Sequence, residues 1–320
     1  MVLLKNEKNT LPIRKGTKVA LFGKGTVDYV KGGGGSGDVT VEYIRNLYEG
    51  MKIKEDEGKV EVFDKLAKYY EKDIQKQYAD GAVPGMTVEP ELPDELLNEA
   101  REYTDTAVIT ICRFSGEGWD RKCEAAQDGY VLDGEEKRNS ELSAKIFENG
   151  DFCLTNAENA MVEKVKKAFP HVIVVMNVGG IVDTKWFRDC DETQSVLMAW
   201  QGGMEGGLAT ADILCGDVNP SGKLSDTYAT CCAAVRPHRA CGHICCRRWP
   251  ISSSMSRSPS SFSASSPASG SAASTLPFRA AASMTRRSGA RTSGGGCCAD
   301  CSCARRATPV RMSRPTAPAT

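Results

Sequence analysis

Residues Thr106 to Lys122 read TAVITICRFSGEGWDRK. The first seven, Thr106 to Cys112, are apolar and rich in β-branched side chains, and a turn closes them. That is the signature of a buried strand, covered on both faces as in a parallel sheet. Directly after it come Ser115, Gly116, Glu117 and Gly118, a carboxylate set between two glycines. Open α/β sheets bind their ligands just outside the carboxyl ends of their strands. The glycines allow a sharp turn and close approach of a substrate. Trp119 offers a flat apolar surface, and Asp120 and Arg121 offer groups that can fix hydroxyls. Glu117 is therefore the candidate functional residue. The same letters also fit an ordinary turn, with Arg113, Asp120 and Arg121 as a solvated ion-pair cluster, and local pattern leaves both readings open.

Working outward, the same grammar repeats. Thr17 to Phe22 (TKVALF) reads as a strand ended by Gly23, and His171 to Met176 (HVIVVM) as a strand buried on both faces. Ser195 to Trp200 reads as another, ended by Gly202-Gly203. Helical periodicity is expected over Asp94 to Tyr103, over Asn156 to Phe169 with Thr155 or Asn156 as cap, and over Met204 to Leu214. Val60 to Tyr78 reads as one long amphipathic helix. Another helical pattern runs from Asp38 through Val41, Ile44 and Leu47. Cys123 to Phe152 reads as a polar surface excursion. Strand–loop–helix units of this kind predict an α/β fold with a doubly wound, mostly parallel sheet between helices.

The glycine loop Lys31 to Gly37 (KGGGGSG) suggests a phosphate cradle. However, no Lys-Ser/Thr pair follows it, and Gly23-Lys24-Gly25 lacks the third glycine of a dinucleotide fingerprint. No cofactor is expected. His171, alone at a strand start, reads as structural.

Composition divides the chain of 320 residues in two. From Thr230 to Thr320 there are thirteen Arg, no Lys and a single acid, Asp300, a net +12; the balancing −12 falls on Met1 to Ala229. Residues 1–229 suffice for one α/β domain with a proper core. Residues 230–320, built from Ser, Ala, Arg, Pro, Gly and Cys, cannot bury enough apolar area to offset ordering, and a disordered tail is expected. The switch is what out-of-frame translation of a GC-rich gene would produce. An Arg-rich tail could attract nucleic acid, but it lacks interleaved aromatics and a recognisable fold, so that partner is not favoured. The cluster Cys297 to Cys303 (CCADCSC) fits no familiar zinc spacing, and no metal site is assigned. Five scattered cysteines in 1–229 suit free thiols in a reducing compartment. Met1 to Pro12 has no apolar core for a signal peptide and no run is long enough to span a bilayer, which points to a cytoplasmic location and no membrane partner.

Several motifs, in order, resemble family 3 glycoside hydrolases, the β-glucosidase and β-xylosidase group, in their α/β-sandwich domain. They are VLLKNE (Val2 to Glu7), GGGGSG, RFSGEGWDR, VIVVMNVGG, AWQGGMEGG (Ala199 to Gly207) and GDVNPSGKLSDT (Gly216 to Thr227). The resemblance implies a retaining hydrolase acting on a β-linked oligosaccharide or glucoside. It implies that Glu117 is the acid/base, with Trp119, Asp120 and Arg121 around the substrate. It further implies a nucleophilic aspartate on a separate TIM barrel. No barrel is found in these residues, so the chain alone is expected to be inactive. Two other readings compete: a non-catalytic sugar- or nucleotide-binding module, and a nucleic-acid binder acting through the tail.

Overall fold

The structure, a computed structural model, describes residues 1–34, 39–116, 141–188, 190–225 and 228. The tail 230–320, the Cys297 to Cys303 cluster and the four candidates Glu117, Trp119, Asp120 and Arg121 lie outside them.

Six strands form one sheet: β1 (Val2–Asn6), β2 (Thr17–Phe22), β3 (Val60–Val62), β4 (Thr106–Arg113), β5 (His171–Val178) and β6 (Thr193–Met198). Their spatial order is β1-β6-β5-β4-β2-β3. All neighbours are parallel except β1, which pairs antiparallel with β6 at one edge. The mostly parallel α/β fold is as the sequence predicts.

The helices are α1 (Leu47–Asp56), α2 (Asp64–Ala79), α3 (Asp94–Tyr103), a short α4 (141–146), α5 (Asn156–Ala168), α6 (Lys185–Arg188) and α7 (Gly206–Cys215). Successive strand residues point to opposite faces, and the apolar runs are sorted accordingly. Phe22, Ile109, Ile111, Val174 and Met176 join α2, α3 and α5 in one core through Leu66, Leu97 and Val165. Leu21, Val108, Ile173 and Val175 join α1 and α7 in the other through Met51 and Leu214. Helices thus cover both faces, which is why every residue of β4 is buried.

Two expected helices are shorter than their patterns. Val60 to Val62 is a strand, pairing in parallel with Thr17 to Val19, and α2 begins only at Asp64. Val60 and Val62 fill the second core while Glu61 faces out, a period of two that a helical reading of the longer window conceals. The pattern from Asp38 does not make a helix until Leu47. There Asn46 and Glu49 form a capping box, whereas Tyr43 and Ile44 remain exposed. By contrast α3 keeps its predicted limits, and α5 starts at the predicted cap, Thr155, whose hydroxyl accepts from the Glu158 amide.

Candidate active site

The chain runs from β2 outward to β3, then returns across β2 to place β4, β5 and β6 on the other side. The carboxyl ends of β2 and β4 therefore flank the topological switch point, where open sheets of this type leave a crevice.

Gly23 ends β2 with φ +90°; a Cβ there would lie 2.3 Å from the Thr110 carbonyl oxygen. It turns the chain into a single 3-10 turn, Lys24–Thr26. From β4 the backbone leaves through Phe114, Ser115 and Gly116. A Cβ on Gly116 would fall 2.5 Å from the Gly33 oxygen and 2.8 Å from Gly34 Cα, so Gly33 and Gly34 lie directly on Gly116. Contact this close accounts for glycine at position 116 without a phosphate.

The other motifs meet at the same place. A Cβ on Gly179, after β5, would be 2.6 Å from both Ser115 Cβ and the Gln201 amide nitrogen. Asn177, wholly buried, accepts from the Val30 amide at 2.8 Å and donates to the Val30 and Trp200 carbonyls at 2.9 and 2.8 Å. The Gly203 amide donates to Lys31 O at 2.9 Å, and the Gly202 amide to the Tyr29 hydroxyl at 3.0 Å. Trp200, the second letter of AWQGG, holds a left-handed φ of 59°, a conformation that surrounding packing must enforce. Four motifs far apart in sequence thus form one rim around Ser115 and Gly116.

Beneath the rim lies buried charge that the sequence does not announce. Lys24 is 4% exposed; its Nζ lies 2.8 Å from Thr87 Oγ1, 3.1 Å from Cys112 Sγ and 3.7 Å from Asp28 Oδ2. Burial opposes its charge, but Cys112 and Asp28 outweigh it and hold the ammonium above its ordinary range. The Lys24 amide donates to Glu89 at 2.8 Å, yet burial pushes the Glu89 carboxyl up to about 8. Arg113 corrects the picture of a solvated cluster: it is 2% exposed and forms a two-pronged ion pair with Glu158, also 2% exposed. Burial alone would raise the Glu158 carboxyl, but the Arg113 guanidinium holds it below the usual carboxylate range.

Sequence reasoning missed Lys24, Glu89 and Asn177, and it left Arg113 without its partner. Thr155 was legible as one of two helix caps, but nothing local points to Glu158 or pairs it with a residue 45 positions away. Among the described residues no group of three or more His, Cys, Asp or Glu could hold a metal ion, and Cys112, Cys153, Cys190 and Cys215 are free thiols. No helix among them is long and apolar enough to cross a membrane.

Residues 1–240 match the model of the glycosyl hydrolase family 3 C-terminal domain. Beta-glucosidase A of Butyrivibrio fibrisolvens is 60% identical over 229 residues, 72% of this chain and 27% of that protein. A beta-glucosidase of Ruminococcus albus is 34% identical over 236 residues, 71% of this chain and 22% of the relative. Among solved structures, the beta-glucosidase of Paenibacillus barengoltzii aligns with a TM-score of 0.58 at 35% identity, over 72% of this chain and 23% of that one. Beta-glucosidase 3B of Thermotoga neapolitana, in complex with α-D-glucose, aligns at 0.57 and 33%, over 72% and 30%. The chain therefore spans about a quarter of the length of the proteins it resembles.

Proposed function

The chain belongs to glycosyl hydrolase family 3, matching its C-terminal domain, and on that premise we propose that it is the acid/base-bearing part of a retaining β-glycosidase acting on β-glucosides. Glu117 is the acid/base, and Trp119, Asp120 and Arg121 line the substrate beside it. The nucleophilic carboxylate comes from a separate TIM barrel. The single observation carrying this reading is the seat of Gly116: the residue just before Glu117 is wedged against the glycine loop at the switch point, inside the rim formed by four family motifs.

The chemistry follows from that seat. In a retaining reaction one carboxylic acid protonates the departing glycosidic oxygen while a carboxylate about 5–5.5 Å away attacks the anomeric carbon. The acid, now ionised, then takes a proton from the water that hydrolyses the glycosyl-enzyme. An acid used near neutral pH benefits from a raised pKa. Arg113, four residues before Glu117, is paired with buried Glu158. The relatives named above are beta-glucosidases, which favours a β-glucoside as substrate.

A hybrid enzyme tests the proposal. Residues 1–229 of this chain replace the 229 residues they match in the Butyrivibrio enzyme. The hybrid is expected to hydrolyse an aryl β-glucoside, whereas the isolated 320-residue chain is not. A folded but inert hybrid overturns the assigned role; turnover by the isolated chain, abolished in Glu117→Gln, overturns the need for a barrel.

A further inference from the structure

We propose that Arg113 is a positioning residue for the acid/base, a single guanidinium that ties the end of β4, four residues before Glu117, to the segment that caps α5. The inference rests on the reading of Glu117 given above.

Arg113 is the last residue of β4, where the chain leaves the sheet, and Thr155 is where it returns to cap α5. The guanidinium turns inward, away from solvent, and meets the returning limb. Nε donates to the Asp151 carbonyl at 3.2 Å, and Nη2 to the Cys153 carbonyl at 3.1 Å. Nη1 donates to Cys112 O at 2.8 Å and to Glu158 Oε1 at 2.5 Å; the second Nη2 hydrogen goes to Glu158 Oε2. The Phe147 ring stacks against it, 4.8 Å from centroid to guanidinium carbon. An arginine has five N–H donors in a fixed planar fork, and here each has its own acceptor.

The acceptors are themselves anchored. Glu158 Oε2 also accepts from the Thr155 amide at 2.9 Å, closing the capping box of α5. That helix is fastened to the core through Met161, Val162 and Val165, all buried. On the departing side the Arg113 carbonyl accepts from the Gly179 amide at 3.0 Å, and Gly179 abuts Ser115. One side chain therefore joins the outgoing strand, the incoming limb and the helix beneath, four residues before Glu117. Holding the end of β4 holds the point from which the chain runs on to Glu117. An acid must sit within hydrogen-bond reach of the oxygen it protonates, and a misplacement of about 1 Å can cost on the order of 10²-fold in rate.

The test uses Arg113→Lys, which keeps the charge but has three donors and no planar fork. In the hybrid enzyme, kcat/KM for an alkyl β-glucoside, whose poor leaving group needs a proton, is expected to fall on the order of 10²-fold. For the dinitrophenyl glucoside, which departs without protonation, kcat/KM is expected to change little, because it reports glycosylation and not the later general-base step that hydrolyses the glycosyl-enzyme. In the full 320-residue chain, amides of 147–155 should exchange faster while those of α2 and α3 keep their protection. A purely structural role would lower both substrates together, in step with lost folded protein. That outcome, or wild-type kinetics on both glucosides, overturns the inference. Should Arg113→Lys fail to fold, Glu158→Gln, which keeps the shape and removes the charge, is read the same way. If Glu117→Gln itself shows no dependence on leaving group, the acid/base reading fails; if it does and Arg113→Lys does not, only the clamp fails.

Discussion

Strand β2 has a glycine near each end, and the two ends treat it differently. Gly16, just before the amino end, has φ +79° and nothing within 4 Å of where a Cβ would be; Gly23, at the carboxyl end, has φ +90° and a carbonyl oxygen 2.3 Å from that point. The contrast extends across the sheet. The amino edge opens on a groove of about 470 Å³ lined by Lys8, Arg14, Lys18 and His171, all exposed. The carboxyl edge holds its polar groups inside, Lys24, Arg113 and Glu158 as charges and Glu89 as a protonated carboxyl near neutral pH, all buried. Groups at the first edge are solvated by water and free to reorient. Groups at the second are fixed by one another, and a site that must hold a proton donor in place needs that fixity.

If the difference is real, the two edges answer perturbation on different scales. Glu158→Ala leaves the buried Arg113 charge uncompensated and should cost about 3–5 kcal/mol of stability, measured by urea unfolding. Gly23→Ala adds a steric clash to a left-handed backbone and should cost about 2–4 kcal/mol, against about 1 kcal/mol for Gly16→Ala, where only backbone conformation is at stake. Equal losses at the two glycines would erase the comparison.

Glu89 gives the edge a pH signature. Between about pH 4.5 and 8 the folded chain keeps a proton on this carboxyl that the unfolded chain has released. Stability therefore falls as pH rises through that window, by about 1.4 kcal/mol per pH unit and on the order of 5 kcal/mol in total, and Glu89→Gln should flatten the fall. A profile identical in wild type and variant would remove Glu89 from the account. Smallest of all, Lys18→Ala at the amino edge should change stability by no more than about 0.5 kcal/mol, since its partner is only the Tyr103 ring at 4.9 Å.

What could be read in advance divides along physical lines. The strands β4 and β5 were legible because a strand buried on both faces reads as a near-continuous apolar run, here Ala107 to Ile109 and Val172 to Met176, and α3 because its stripe repeats cleanly between loop and strand. The three residues of β3 were not, since so short a strand contributes only two buried valines to any pattern. At the candidate site, the position of Phe114 to Gly116 at the sheet's carboxyl edge was legible from the strand that precedes them. The fate of Arg113 was not: whether an arginine is solvated or buried depends on an acceptor set drawn from residues 151 to 158, which only the fold assembles. The same holds for Asn177, whose partners lie at Val30 and Trp200.

The central claim is that the residue following Gly116 hands a proton to a departing sugar oxygen. It is tested most directly by kcat/KM of the Glu117→Gln hybrid for two substrates, an alkyl β-glucoside and the dinitrophenyl β-glucoside. General acid catalysis contributes about 10²–10⁴-fold, so a loss of that size is expected for the alkyl glucoside and a far smaller one for the dinitrophenyl compound. Equal losses for the two, or none for either, would contradict it.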